Sequence, residues 1–306
     1  MKLITGNAHR RLAEDLAQEL RVQLEAAEVA SFADGETRVH IPGDLRGEAV
    51  FVVQPTGPPV NDHLMELALL VDAARAAGAR QVVGLVPYLG YARQEQRGAV
   101  GDPRSAQVVA KLLRSVELDH LVTLDLHAPA LESAFEMPVT LLSAEDVFVP
   151  HLTSWVTRDF SVVAPDAGGV KRAQRFAAAL TCRLAVIAKQ RPKPDAVAKT
   201  EVLGDVANRV CVVVDDMAST GRTLVAAAQA LREAGAVEVH AVFTHPVMAP
   251  GALERIASAG FRRLLTTDSI RASDDPRLEV IRIAPLLART VRYLCGEPTD
   301  TRIGSA

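Results

Sequence analysis

The sequence predicts an α/β protein built from mostly parallel sheets flanked by helices, and three observations carry that prediction. Apolar, strand-like runs alternate with Ala- and Leu-rich helical stretches from one end of the 306-residue chain to the other, as expected of parallel strands joined by helical crossovers. The alternation is repeated in two similar halves that meet near residue 150, although no direct repeat of sequence is strong enough to demonstrate duplication. Within the second half, residues 211–231 (CVVVDDMASTGRTLVAAAQAL) pass from a β-branched run through a tight polar turn into a helix.

Taken in order, the first half predicts strands at 50–54, 81–88 and 120–126, with helices around 61–77 and 104–115. The second half predicts strands at 161–166, 184–189, 210–216, 237–245 and 263–269, again separated by helices. Domains are accordingly expected at 1–148 and 149–306, a division that suits a chain of this length. Residues 189–201 (KQRPKPDAVAKTE) interrupt the second half with a polar, proline-punctuated stretch where a regular unit needs only a short link. That stretch is expected to be a mobile arm or hairpin.

Composition narrows the function. A net charge of −3 and a pI near 6.3 provide no electrostatic footprint for nucleic acid or a membrane surface. A small anionic substrate must therefore be met by local cations. Cys182, Cys211 and Cys295 are scattered and odd in number, which argues against a disulfide framework or zinc site and for reduced thiols. The opening residues MKLITGNAHRRL have no long apolar core, and no window reaches the length of a membrane span. A soluble, cytoplasmic protein is expected.

The chemistry is concentrated where strands end. In residues 211–231, Ser219, Thr220, Gly221, Arg222 and Thr223 place backbone N–H groups and hydroxyls at a helix N-terminus, where unpaired donors and the positive dipole end favour a phosphate. Asp215 and Asp216, at the carboxyl end of the strand, can accept bonds from sugar hydroxyls or metal-bound water. An ordinary strand, turn and capped helix is the plainer alternative; the pattern DD-x-x-x-T-G-x-T favours a phosphosugar cradle. Other polar residues also follow apolar runs: Asp125 and His127, then Asp166, then Lys189 and Arg191. Ligands sit at such places in open parallel sheets. Taken singly, His127 can be a hydrogen-bonded structural histidine and Asp166 a helix cap.

The 215–223 pattern is similar to that of the type I phosphoribosyltransferase fold. More specifically, the chain resembles the ribose-phosphate pyrophosphokinase (phosphoribosyl pyrophosphate synthetase) family over almost its whole length. The resemblance rests on FADGETRVHI (32–41), VPYLGYARQEQR (86–97), DLHAPALESAFEMPV (125–139), PDAGGVKRAQRFAAAL (165–180), KQRPKP (189–194) and LGDVANRVCVVVDDMASTGRTL (203–224), among other ordered matches. It implies two tandem type I phosphoribosyltransferase-like domains and transfer of the terminal pyrophosphoryl group of Mg-ATP to the C1 hydroxyl of ribose 5-phosphate, with phosphoribosyl pyrophosphate and AMP as products. By the same resemblance, Lys189 and Arg191 belong to a catalytic arm, and His127 and Asp166 are nominated as neighbours of Mg2+. Asp215, Asp216 and residues 219–223 bind ribose 5-phosphate, while Phe32, Asp34, Glu36, Arg93 and Gln94 serve ATP. Phe32 can instead be a core aromatic at a strand end. The family completes its adenine pocket from a neighbouring subunit, so a homo-oligomer, a dimer or multiple of dimers, is implied.

Departures from the family pattern also carry information. The segment after Gln94 reads Glu95-Gln96-Arg97, with a longer carboxylate and one fewer cation than usual. Gly101 replaces an arginine associated with the regulatory phosphate and ADP site of the commonest class, and the ending GEPTDTRIGSA is atypical. Weak or absent phosphate activation and ADP allostery are expected. Two other functions share parts of these motifs: a transferase that consumes phosphoribosyl pyrophosphate, and a non-catalytic regulatory homologue. The first has no use for the FADGE and YARQ segments in an extra domain; the second has no need to keep His127, Asp166, Lys189 and Arg191.

Overall fold

Each strand of the first sheet runs parallel to its neighbours, which requires every connection to cross over the sheet and accounts for the alternating sequence pattern. The computed structural model describes residues 1–94, 97–127, 129–155, 159–190 and 199–298. In chain order its first part comprises β1 (Lys2–Thr5), α1 (Arg10–Leu20), β2 (Glu28–Ser31), β3 (Thr37–His40), β4 (Ala49–Val53), α2 (Val60–Ala76), β5 (Gln81–Leu85), α3 (Ser105–Ser115), β6 (His120–Leu124) and β7 (Val139–Leu142). Strands β1, β4, β5, β6 and β7 form a parallel five-stranded sheet in that order. β2 and β3 make a separate antiparallel hairpin.

The second part continues with α4 (Glu145–Leu152), β8 (Phe160–Ala164), α5 (Val170–Ala179), β9 (Arg183–Gln190), β10 (Lys199–Leu203), β11 (Val210–Met217), α6 (Arg222–Glu233), β12 (Glu238–His245), α7 (Ala252–Ser258), β13 (Leu264–Thr267) and β14 (Leu278–Ile281). Its seven strands are ordered β10-β9-β8-β11-β12-β13-β14. Only β10 is antiparallel to its neighbour. The chain ends, within the described residues, in α8 (Ala284–Leu294).

The predicted strands coincide closely with observed ones, and the differences have simple causes. The 81–88 run stops at Leu85 and the 161–166 run at Ala164, each just before a proline at position 87 or 165, a residue with no N–H for the ladder. Conversely, β11 extends one residue beyond the predicted 210–216, to Met217, because Met217 pairs with His245 on β12.

The chain divides into two units, one of residues 1–143, 269–271 and 282–306, the other of residues 144–268 and 272–281. Thus α8 belongs with the first unit, where it packs on α1 and the Arg292 guanidinium donates to the Glu19 carbonyl at 2.6 Å. The first core is formed by Val50, Val52, Leu67, Leu70, Val82 and Leu121, among others. The second is centred on Val163, Val213, Phe243, Leu224, Leu231 and Ile256. Burying one such side chain contributes about 1.5–3 kcal/mol.

Candidate active site

In the second unit the chain leaves β8 in one direction, toward β9 and β10, and continues from β11 in the other, toward β14. The carboxyl ends of β8 and β11 therefore flank a topological switch point, the place where open α/β sheets leave a crevice for ligands. Asp215 and Asp216 stand at that end of β11, with side chains 15% and 6% exposed. The Asp216 N–H donates to Asp215 Oδ1 at 2.9 Å. Arg172, in the first turn of α5, brings Nη1 to 3.7 Å from Asp215 Oδ1 and 3.7 Å from Asp216 Oδ1. Burial, followed by the charge of Asp216, pushes the Asp215 carboxyl well above the ordinary carboxylate range, and Arg172 opposes that rise. Two carboxylates are thus held close together, with the Arg172 guanidinium near both.

The turn after β11 is braced from below. The Ala218 N–H donates to the His245 carbonyl at 3.0 Å, and the Met248 and Ala249 N–H groups donate to the carbonyls of Ala218 and Ser219 at 2.9 and 3.0 Å. The Arg255 guanidinium donates to the Thr220 carbonyl. Gly221 has φ +75°, and a Cβ there would lie 2.5 Å from Cγ1 of Ile256 on α7, so a glycine both permits the turn and lets α6 approach α7. The helix then starts at Arg222, and its first ladder bond runs from the Val225 N–H to the Gly221 carbonyl at 3.0 Å. Earlier amides lie outside the ladder, as at any helix start. Among the described residues, the hydroxyls of Ser219, Thr220 and Thr223 make no hydrogen bond to another protein group. Unengaged donors at a helix N-terminus are suited to a phosphate.

Neighbouring strands add further groups to the same edge. Asp166 follows β8, and its Oδ1 accepts the Gly169 N–H at 3.0 Å; Gly169 is itself the N-cap of α5 and no side chain caps that helix, so Asp166 braces the loop rather than capping the helix, and a carboxylate retains acceptor capacity beyond one such bond. Strand β9 ends at Gln190 and pairs antiparallel with β10 through Lys189↔Thr200; residues 191–198 between them lie outside the described residues. Lys189 lies on the ascending strand; Arg191 falls outside the described residues.

In the first unit, Phe32 opens the turn of the β2–β3 hairpin, its N–H donating to the Glu36 carbonyl at 2.8 Å. The ring is 54% exposed, so Phe32 is not a core aromatic. Asp34 and Glu36 are exposed, and Asp34 Oδ1 accepts the Glu36 N–H at 3.2 Å. Arg93 and Gln94 are also exposed, with the Gln94 amide oxygen accepting from the Ser105 hydroxyl. Both segments are tied to α2: β3 packs on it, and the Tyr91 hydroxyl donates to Asn61 in its first turn. His127 is exposed after β6. Beneath these loops, buried Glu66 of α2 accepts from the Gln54 side chain at 2.7 Å and the Asn7 N–H at 3.0 Å, joining the carboxyl ends of β1 and β4.

Sequence reasoning overlooked Arg172. Its motif, PDAGGVKRAQR, was legible, but its proximity to the aspartates depends on β8 lying beside β11, 46 or more residues later in the chain by number alone. Among the described residues, no three His, Cys, Asp or Glu side chains form a metal-holding group. A magnesium ion needs only one or two protein oxygens when substrate phosphates supply others, and the carboxylate of Asp166 fits that chemistry.

Known proteins resemble this chain along most of its length. Residues 1–116 match the family described as the N-terminal domain of ribose phosphate pyrophosphokinase, and residues 149–276 match the phosphoribosyl transferase domain. The chain is 40% identical over 294 residues to the ribose-phosphate pyrophosphokinase of Thermosipho africanus, covering 95% of this chain and 93% of the relative. It is 40% identical over 302 residues to that of Brucella melitensis, covering 97% of each. The crystal structure of phosphoribosylpyrophosphate synthetase from Mycobacterium smegmatis superposes with a TM-score of 0.90 at 34% identity, covering 96% of this chain and 98% of that one. With two phosphoribosyltransferase-like units and likeness along nearly its entire length, the chain belongs to the ribose-phosphate pyrophosphokinase family.

Proposed function

We infer that the protein is a ribose-phosphate diphosphokinase, transferring the pyrophosphoryl group of Mg-ATP to the C1 hydroxyl of ribose 5-phosphate to give phosphoribosyl pyrophosphate and AMP. The observation that carries this reading is the end-to-end likeness to ribose-phosphate pyrophosphokinases. In the reaction, the C1 oxygen forms a bond to the β-phosphorus as the bond from that phosphorus to the oxygen of the α-phosphate breaks. AMP departs with the electron pair, and the hydroxyl proton is lost.

The residues of this chain divide the work by chemical type. The turn Ser219, Thr220, Gly221, Arg222 and Thr223 grips the 5-phosphate through backbone amides and hydroxyls, while Asp215 and Asp216 accept from the ribose hydroxyls. Phe32 stacks against adenine, Asp34 and Glu36 accept from its amino group, and Arg93 with Gln94 reaches the adenine or phosphates. Lys189 and Arg191 neutralise charge that builds on the transferring group. Asp166 would offer a magnesium ion a hard oxygen, and His127 would be its second neighbour or orient a phosphate; the ion would supply positive charge to offset that of the phosphates. Domains at 1–148 and 149–306 remain our functional division, the first serving ATP and subunit contacts, the second ribose 5-phosphate.

The protein acts in the cytoplasm as a homo-oligomer, a dimer or multiple of dimers. No helix among the described residues is long and apolar enough to cross a membrane. Gly101, exposed with φ +95°, has no cation to offer a regulatory phosphate, which supports weak or absent phosphate activation. Incubation with ribose 5-phosphate and Mg-ATP tests the function. AMP formed in step with sugar consumption is expected. AMP absent under all conditions would point to a regulatory homologue, and turnover only with an added base and phosphoribosyl pyrophosphate to a transferase.

A further inference from the structure

We propose that Asn7 is a positioning residue for ATP: its side-chain amide bridges buried Glu66 and the β2–β3 hairpin, and so fixes the place from which Phe32 meets the adenine. This inference rests on the reading of Phe32 as an adenine-stacking residue. Asn7 lies in the connection between β1 and α1, outside every segment assigned above to a substrate. Its Nδ2 donates to Glu66 Oε1 at 3.1 Å and to the Val29 carbonyl of β2 at 3.3 Å, and its backbone N–H donates to Glu66 Oε2 at 3.0 Å. Both protons of one amide are thus committed, one to the core and one to the hairpin.

The core side of the bridge is rigid. Glu66 is 7% exposed and Gln54 is fully buried. Gln54 Nε2 donates to Glu66 Oε2 at 2.7 Å and to the His63 carbonyl at 3.3 Å, while its Oε1 accepts the Ala8 N–H at 3.4 Å. A Cβ on Gly6 would lie 2.5 Å from Gln54 Oε1 and 3.0 Å from Glu66 Oε2, so the chain before Asn7 is packed directly on this cluster. A buried acceptor that loses its donors is costly, which holds Asn7 in place. The hairpin side is weaker. β2 and β3 form a sheet of two strands, and such a hairpin is marginal without outside support. Cross-strand partners Val29 and Val39 pack on the first core, whereas Ala30, Ser31 and Phe32 beyond them are exposed. Phe32 is about 10 Å further along the strand than Val29. A tilt of about 10° at Val29 therefore moves the ring by about 2 Å, enough to spoil a stacking contact.

A double-mutant cycle with Phe32, read by steady-state kinetics with both substrates varied, provides the test. Asn7→Ala is expected to raise the KM for ATP about fivefold, with kcat and the KM for ribose 5-phosphate changed less than about twofold. In a Phe32→Ala background the same substitution should add less than about twofold, because the bridge has no ring left to place. A residue that touched ATP directly or only stabilised the fold would act alike in both backgrounds. Asn7→Asp keeps the size of the side chain but turns an acceptor oxygen toward Glu66 and Val29, and should raise the KM for ATP at least as far as alanine does. Calorimetric titration with Mg-ATP alone repeats the comparison without turnover, and circular-dichroism melting reports whether each variant is folded. An unchanged KM for ATP in Asn7→Ala, equal rises for both substrates, an aspartate variant that behaves as the parent, or the full rise persisting without Phe32 would overturn the proposal. Phe32→Ala with an unchanged KM for ATP, or parent enzyme that forms no AMP, would instead overturn the underlying reading of the site, and this inference with it.

Discussion

Replacing Gly221 by alanine perturbs the phosphate turn at a point where the structure allows the cost to be worked out. The residue has φ +75°, a left-handed conformation costing an alanine about 1–2 kcal/mol. The added Cβ would lie 2.5 Å from Cγ1 and 2.9 Å from Cδ1 of Ile256, and 3.3 Å from the Ala252 carbonyl oxygen. Ile256 is fully buried and cannot swing into solvent, so overpacking adds about 1–3 kcal/mol. The second unit should lose about 2–5 kcal/mol, lowering its melting midpoint by about 6–15 °C. The sole tryptophan, Trp155, reports this unit: its ring centroid is 4.9 Å from that of His240, and the Arg263 guanidinium lies 4.0 Å above it. Thermal unfolding followed by Trp155 fluorescence therefore isolates the effect. Relief of the clash pushes the start of α6 away from α7 and moves its amides, so the KM for ribose 5-phosphate should rise about tenfold or more. A midpoint within about 2 °C of the parent together with an unchanged KM for ribose 5-phosphate would refute the view that a tight glycine contact holds the turn.

Other consequences can be measured independently. His9 caps α1, with Nδ1 accepting the Leu12 N–H at 3.2 Å, and burial, then Arg271, lower its pKa from 6.5 to about 4. Because the unfolded chain binds this proton more readily, stability should be lost as pH falls from about 6.5 to about 4, by up to about 3 kcal/mol. His9→Asn keeps a capping acceptor and should flatten that slope in urea titrations; an undiminished slope would assign it to other groups. Phe32→Ala should leave the melting curve unchanged, since the ring is exposed, while raising the KM for ATP about tenfold through lost stacking; equal KM values would remove Phe32 from the adenine site. Lys189→Ala should reduce kcat about a hundredfold or more with little change in either KM, as expected for a charge acting in the transition state. An unchanged kcat would remove Lys189 from the mechanism.

Much of this molecule was readable one segment at a time. Strand, turn and helix at 210–233 follow from consecutive residues: a β-branched run, then a glycine at the one position needing φ > 0, then helix formers. The same local logic found β4, β5, β6, β8, β9, β12 and β13. Less was legible where local signals are weak. The short strands β1, β7 and β14, four residues each, are too brief for periodicity to register. Nor does anything in the 284–294 segment indicate that its helix packs on α1, at the far end of the chain.

The candidate site divides in the same way. Sequence alone nominated the residue types that could carry the chemistry, because strand-end carboxylates, a phosphate-type turn and a basic segment are each written in contiguous residues. Tertiary structure decided which of them are neighbours. Strand order made the carboxyl ends of β8 and β11 a switch point, brought α5 over the aspartates, and supplied Arg172 between them. It also settled that Phe32 faces solvent and that Asp166 braces its own loop. The physical reason is that backbone propensity and turn chemistry act over a few residues, whereas burial, charge compensation and pKa depend on contacts between segments far apart in the chain, made only when the sheet assembles.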